Sequence, residues 1–391
     1  MSAVVVPAQV SASPAALLQH VRTGRASSRA ELVALTGASR NTISSRVDQL
    51  IGADLLLEGG RGDSTGGRPP TLLRFNGGAG CVLAVDLGVT SVDVAVTDLS
   101  ARVLATAGHP IDIAEGPQAV LAEAVRLGRA VLAEAGLADA DVRAVGVGVP
   151  GPVEFSTGRP SHPPIMPGWH DHPIPEAFGR WPVPVVVDND VNVMALGEMG
   201  VGGSDQDVLV VKVGTGVGCG VVVGGRVYRG AQGSAGDIGH IHVPQDDGRS
   251  VLCRCGNTNC LEALASGASL LRDALAAGLP VTSTHDVVAL AAHGDGPALE
   301  LVREAGRTIG TVLAALVNFF NPHRIVVTGG IAQAGLPLLS GIRESVYARA
   351  MPLAARTLDI TVSDAPELSG RVGAALMAVE GYLAQVRATF G

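Results

Sequence analysis

The sequence predicts an α/β protein in two parts: an N-terminal winged helix-turn-helix head, then a body of two α/β lobes around a cleft. Three observations predict it. The first 78 residues hold three short helical patterns and then two strand patterns, separated by a turn-rich tip that carries arginine. Two strand–glycine turn–strand units recur more than a hundred residues apart, beginning at Val82 and Val208. The charge divides in the same place: eight Arg face five acids through residue 78, yet the 391-residue chain has a net charge of −8, so the body carries −11. A basic head is able to meet nucleic acid, whereas an acidic body is not built to wrap it.

In the head, 15–21 has helical apolar spacing. Ser28 and Glu31 form an expected capping box before a stripe of Leu32, Val33 and Leu35. Gly37 breaks that helix, and Ser39 caps the next, whose apolar side is Ile43, Val47, Leu50 and Ile51. Its other side presents Ser39, Arg40, Asn41, Thr42, Ser44, Ser45 and Arg46, groups suited to base edges and phosphates in a major groove. Strands at 55–58 and 72–75 flank the wing, whose tip places Arg68 for a narrow minor groove. The plainer alternative is a helical interaction domain with a glycine loop.

In the body, Val82 to Val85 reads as a buried strand entering the turn Asp86-Leu87-Gly88-Val89-Thr90; Asp86 is a candidate for magnesium or its waters. The turn Gly214-Thr215-Gly216-Val217-Gly218 follows a second such strand, and a third ends in Gly329-Gly330. Helices are expected at 118–135 and 300–319. No Walker A or dinucleotide fingerprint is present. The strand 185–187 ends in Asp188-Asn189-Asp190-Val191-Asn192, where amides and carboxylates suit a polyol. Asp190 is placed either to take a hydroxyl proton during phosphoryl transfer or simply to cap a helix.

His240, then Cys253, Cys255 and Cys260, offer one imidazole and three thiols, a tetrahedral set suited to zinc with no position left for water. Such a site is structural. His242 is the alternative imidazole. Cys81 and Cys219 sit among apolar or glycine neighbours and read as packing residues. Asp237 and Glu262 flank the cluster and are candidates to face a ligand. No basic segment precedes a long apolar run, and no apolar run is long enough to span a bilayer, so the expected location is cytoplasmic, without membrane contact.

With these residues in view, the chain resembles the ROK family of repressors, open reading frames and sugar kinases. The likeness rests on Asp188 to Asn192, on Gly236-Asp237-Ile238-Gly239-His240 and on the block 253–262. It implies an actin-like (ribonuclease H-like), two-lobed sugar kinase body, with a winged helix as in the regulator branch that responds to xylose, N-acetylglucosamine or glucose. The implied division is 1–78 for the head, 79–187 for the first lobe, completed by a helix at 372–391, and 188–371 for the second lobe with its zinc loop. The resemblance makes Asp190 the catalytic base of an active kinase, and Asn189, Asp190, Asp237, His240, Glu262 and Gly151 the sugar set. It makes His240, Cys253, Cys255 and Cys260 the zinc ligands. Asp86, Gly88, Thr90, Gly214, Thr215, Gly216, Gly218, Gly329 and Gly330 match the ATP elements. Pro150, Gly168 and Trp169 match positions that shape the sugar side.

Four departures stand out: Asp237 replaces the usual Glu, Val89 a Gly, Ser91 a Lys or Asn, and Asn259 a Gly. Val89 restricts the first phosphate turn, while Asn259 tolerates a left-handed backbone. The expected function is a sugar-responsive DNA-binding regulator, a repressor acting on operator DNA as a homodimer or dimer of dimers, with structural Zn²⁺. The alternatives are an ATP- and Mg²⁺-dependent hexose or aminosugar kinase, or a regulator switched by a partner protein.

Overall fold

The computed structural model describes residues 11–61, 71–200, 206–245, 248 and 250–390. The wing tip with Arg68 lies outside the described residues. In the head, α1 (Pro14–Arg22), α2 (Arg29–Thr36) and α3 (Arg40–Gly52) start at serines: the side chains of Ser13, Ser28 and Ser39 accept backbone N–H groups of Ala16, Glu31 and Thr42. The capping box differs from expectation. Glu31 reaches past Ser28 to the Ser27 amide at 2.7 Å. Gly37, at φ 69°, ends α2 in the left-handed region that favours glycine.

Strands β1 (Leu56–Arg61) and β2 (Thr71–Phe75) pair antiparallel with a bulge between Glu58 and Arg61, forming the wing's stem. Leu17, Leu32, Ile43, Val47, Leu50 and Leu73 close the head's core, whereas Leu35, expected in the stripe, is exposed.

The first lobe runs through β3 (Cys81–Leu87), β4 (Ser91–Asp98), β5 (Val103–Pro110), α4 (Pro117–Glu134) and β6 (Val142–Val149). It continues through a small hairpin of β7 (Val153–Glu154) and β8 (Arg159–Pro160), then α5 (Ile174–Ala177) and β9 (Val185–Asn189). Helix α6 (Asp190–Met199) then leads to β10 (Val208–Val213), β11 (Val217–Val223) and β12 (Arg226–Val227). The second lobe is completed by α7 (Leu261–Ala265), α8 (Gly267–Ala276), α9 (Thr284–Ala292), α10 (Gly296–Phe320), β13 (Arg324–Thr328), α11 (Leu336–Arg349), α12 (Pro352–Ala355) and β14 (Asp359–Val362). The last helix is α13 (Pro366–Phe390). Helix α10 starts before the expected 300 because Asp295 caps it and Pro297 is tolerated in a first turn.

The two sheets repeat one topology. Their orders are β5-β4-β3-β6-β9 and β12-β11-β10-β13-β14, antiparallel over the first three strands and parallel thereafter. Helix α4 covers one face of the first sheet with Val120, Leu121, Ala124 and Val131. Helix α6 lies between the lobes: Val193 packs with α13 residues, and Ala195 packs with Val208, Val210 and Val222 of the second sheet. The α6–α13 approach requires glycine. A Cβ on Gly373 would stand 1.8 Å from the Val193 carbonyl oxygen, and one on Gly197 would stand 2.0 Å from that of Ser369. The head shares a continuous core with Ala374 to Val379 and Leu383 of α13, and Arg22 of α1 pairs with Glu380. Among the described residues, no helix is long and apolar enough to cross a membrane.

Candidate functional site

The site grows from the N-terminus of α6, where a parallel strand feeds a helix between the two lobes. Asn189 caps α6 by accepting the Val191 amide at 3.0 Å, and its side-chain nitrogen donates to the Gly151 carbonyl at 2.8 Å. Asp188 is buried. One oxygen accepts the Asn189 amide and the Asn192 side chain, and the other accepts Arg229 Nε at 2.7 Å. Arg229 comes from the second lobe, and its guanidinium lies 3.8 Å from the Phe155 ring centroid. It bridges the lobes, a contact that no local sequence signal announces.

Asp190 is buried at the first position of α6, and Lys212 Nζ donates to its Oδ2 at 2.5 Å. Val211 and Val213 flank Lys212 and point into the core, so strand alternation turns the lysine to the cleft. Burial works against the Lys212 ammonium, but the charge of Asp190, its hydrogen bond and the charge of Asp86 outweigh it and raise the pKa. Burial also pushes Asp86 up to about 6; Lys212 opposes this, and the charges of Asp190 and Asp93 add to it. Lys212 is the cleft-lining residue that motif reading passes over; the signal is that it is the sole lysine of the chain.

The four metal-type donors of His240, Cys253, Cys255 and Cys260 lie within 4.8 Å of one another. His240 Nδ1 is 3.6 Å from Cys253 Sγ, and Cys255 and Cys260 sulfurs are 3.7 Å apart. The Asn257 backbone N–H lowers the Cys255 thiol to about 7, while burial raises Cys253. Asn259 takes φ 55°, as its tolerance of the left-handed region predicts, and its side chain accepts the Val251 amide at 2.8 Å. His242 is exposed and faces the Thr258 carbonyl, outside the cluster. Cys81 and Cys219 are buried, and burial pushes both thiols up to about 12.

A cleft of about 700 Å³ gathers most of the expected residues: Thr90, Gly151, Asn189, Asp190, the turn 214–218, Asp237, His240, Glu262, Gly329 and Gly330. Glu262 accepts the Val217 amide at 3.3 Å; burial raises its pKa, with the His240 charge opposing. A shallower depression of about 960 Å³ lies between α10 and α11, away from these groups.

Not every expected residue lines the cleft. Asp86 and Gly88 do not line the cleft; the Asp86 carboxylate backs onto α13, where a Cβ on Gly370 would stand 2.0 Å from it. Ser91 turns its hydroxyl to Asp93 at 2.9 Å, within its own strand. Trp169 is fully buried, donating to the Ile113 carbonyl at 3.0 Å, so it supports the first lobe's core and does not line the cleft. In the head, Ser39, Arg40, Asn41 and Ser45 are exposed, but Arg46 is half-buried and donates to the Ala12 carbonyl.

The family model described as ROK family matches residues 82–380. The chain belongs to the ROK family. Its ROK relatives fall into two groups by length of match. The xylose repressor of Bacillus spizizenii is 27% identical over 370 residues, 94% of this chain and 94% of its own. A solved ROK family transcriptional regulator, described as a homologue of the E. coli MLC protein, superposes with TM-score 0.80 at 26% identity, covering 98% of this chain and 99% of its own. The glucokinase of Halalkalibacterium halodurans is 33% identical over 318 residues, but that match takes in 74% of this chain and 94% of the kinase. The regulators match head and body together.

Proposed function

We propose that this ROK protein is a DNA-binding transcriptional regulator of the repressor type, whose operator affinity changes when a sugar binds in the cleft between the lobes. The observation that carries this reading is the continuous core joining the winged-helix head to α13, which also packs on the helix that begins with Asp190. Length of match supports it, because the head is shared with regulators.

In this reading Asn189, Asp190, Asp237, His240, Glu262 and Gly151 meet the sugar. Carboxylates accept its hydroxyl protons in hydrogen bonds, and the Asn189 amide is already oriented by Gly151. Arg40, Asn41 and Ser45 on the exposed start of α3 meet base edges and phosphates, with Ser39, Thr42 and Ser44 beside them. One nitrogen and three sulfurs fit zinc, which when bound would supply a rigid tetrahedral crosslink and, with four protein ligands, no open position for chemistry. A homodimer would present two heads to a two-fold operator; Phe319, Met351 and Leu353, exposed at 89%, 64% and 77%, provide apolar surface for a second copy.

The test is operator binding at fixed salt with and without saturating D-xylose, D-glucose or N-acetylglucosamine. The reading expects one of these to change the affinity; no change with a sugar that demonstrably binds would overturn it. A second reading, an ATP-dependent sugar kinase, is favoured by Asp190 sharing the cleft with both glycine turns. It expects sugar-dependent ADP release that Asp190→Asn abolishes.

A further inference from the structure

The cleft contains a fixed positive charge that sugar recognition does not require. Lys212 is held between Val211 and Val213 on β10, its register neighbours being Gly218 and Thr328, so small side chains leave its stem room to lie along the sheet. Its ammonium donates to Asp190 and its charge also acts on Asp86. Both acids stand at the edge of the first sheet, Asp86 near the end of β3 and Asp190 at the start of α6 directly after β9, whereas Lys212 comes from the second sheet. Two acidic side chains set near one another repel, and a cation hydrogen-bonded to one of them offsets that repulsion. In phosphoryl transfer that cation is a divalent ion bridging phosphates and carboxylates. An ammonium neutralises charge but has no lone pair, so it coordinates no metal and repels one that approaches. The residues therefore do not fit a magnesium ion beside Asp190.

We infer that Lys212 is a resident counter-cation for Asp190 and the neighbouring Asp86, standing where a divalent ion would otherwise be needed, so that this chain binds sugar without nucleotide or magnesium. Lys212 is thus a positioning residue: it holds Asp190 Oδ2 and leaves Oδ1 to accept a sugar hydroxyl. The sugar-binding part of the inference rests on the proposed function; the exclusion of a divalent ion does not.

The test uses the full-length, zinc-loaded protein and Mn²⁺ alone, with free Mn²⁺ followed by electron paramagnetic resonance. Wild type is expected to take up no more Mn²⁺ than the Asp86→Asn/Asp190→Asn variant. Lys212→Met is expected to bind Mn²⁺ at least about tenfold more tightly than wild type, and to lose that gain when Asp86→Asn is added. Lys212→Arg, which keeps the charge, is expected to behave as wild type. A lysine that merely stabilised the fold would shift the melting temperature without creating an ion site.

In a second arm, calorimetric affinities of wild type for D-xylose and D-glucose are compared with and without Mg²⁺ and a non-hydrolysable ATP analogue. The inference expects agreement within about twofold for whichever sugar binds. Mn²⁺ uptake by wild type that Asp190→Asn removes, no gain in a folded Lys212→Met, or sugar affinity raised about tenfold by Mg²⁺ and the analogue would each overturn it. If Lys212→Met does not fold, the wild-type and Lys212→Arg measurements still decide. Failure of any sugar to bind counts against the proposed function, while the Mn²⁺ arm continues to judge Lys212.

Discussion

His240 Nε2 lies 4.0 Å from Asp237 Oδ1, while Nδ1 of the same ring faces Cys253 Sγ at 3.6 Å. One imidazole thus links the cysteine cluster to a carboxylate that lines the cleft. Metal binding would fix the ring, and the ring would orient Asp237. Removing the metal with a strong chelator, or substituting Cys260→Ser, is expected to lower both thermal stability and sugar affinity, the latter by about tenfold or more, which is about 1.4 kcal/mol. Calorimetry before and after zinc restoration checks this. Because the thiols must be deprotonated to bind, acidification is expected to release the metal.

Arg22 and Glu380 join the head to the last helix, with Arg22 almost fully buried and Glu380 at 44% exposure. Glu380→Gln leaves the cleft untouched. It is expected to leave sugar affinity within about twofold while reducing the effect of sugar on operator binding. Parallel sugar calorimetry and DNA titrations separate the two quantities.

Arg40 is exposed at the first position of α3. If it meets a phosphate, Arg40→Ala is expected to weaken operator binding and to flatten the plot of log affinity against log salt by about 0.9. Fluorescence anisotropy across a salt series reads this directly. Arg46, tied to Ala12, is expected to affect the stability of the head more than the salt slope.

Gly373 has no room for a side chain against the Val193 carbonyl. Gly373→Ala is expected to force α6 and α13 apart and to cost about 1–3 kcal/mol of stability. Urea unfolding with an unchanged m-value is the check.

Asp286 accepts backbone and hydroxyl hydrogen bonds from Thr282 and Ser283 at the start of α9, and these hold it down to about 2. A folded-state pKa below the unfolded value means that its stabilising contribution is fully present above about 4 and is lost as the pH falls through about 2. Wild type is therefore expected to exceed Asp286→Asn in stability at neutral pH, with the gap closing over that acid window. Unfolding of both proteins at several pH values tests it.

What the sequence by itself determined is local. Serine caps at Ser28 and Ser39, the helix break at Gly37 and the left-handed Asn259 depend on neighbours a few residues away, and the local sequence predicts them. The His240–Cys260 set is legible for the same reason: its cysteine sulfurs come from one short loop, and their chemistry has few other uses. The repeated sheet topology follows from two strand–turn–strand patterns, each a local apolar alternation. Asn189 and Asp190 are visible because polar groups at a strand end do not suit a core.

Tertiary structure alone decided what each of these groups meets. Lys212 is 22 residues from Asp190 in sequence, Arg229 is 41 from Asp188, and Arg22 is 358 from Glu380. No periodicity encodes such pairings, because they arise where separate elements pack against one another. The same packing set Asp86 against Gly370, sent Trp169 into the core and drew Arg46 back to Ala12. A side chain's type sets what it is able to do, but its burial and its partners set what it does, and both depend on contacts made across the whole chain.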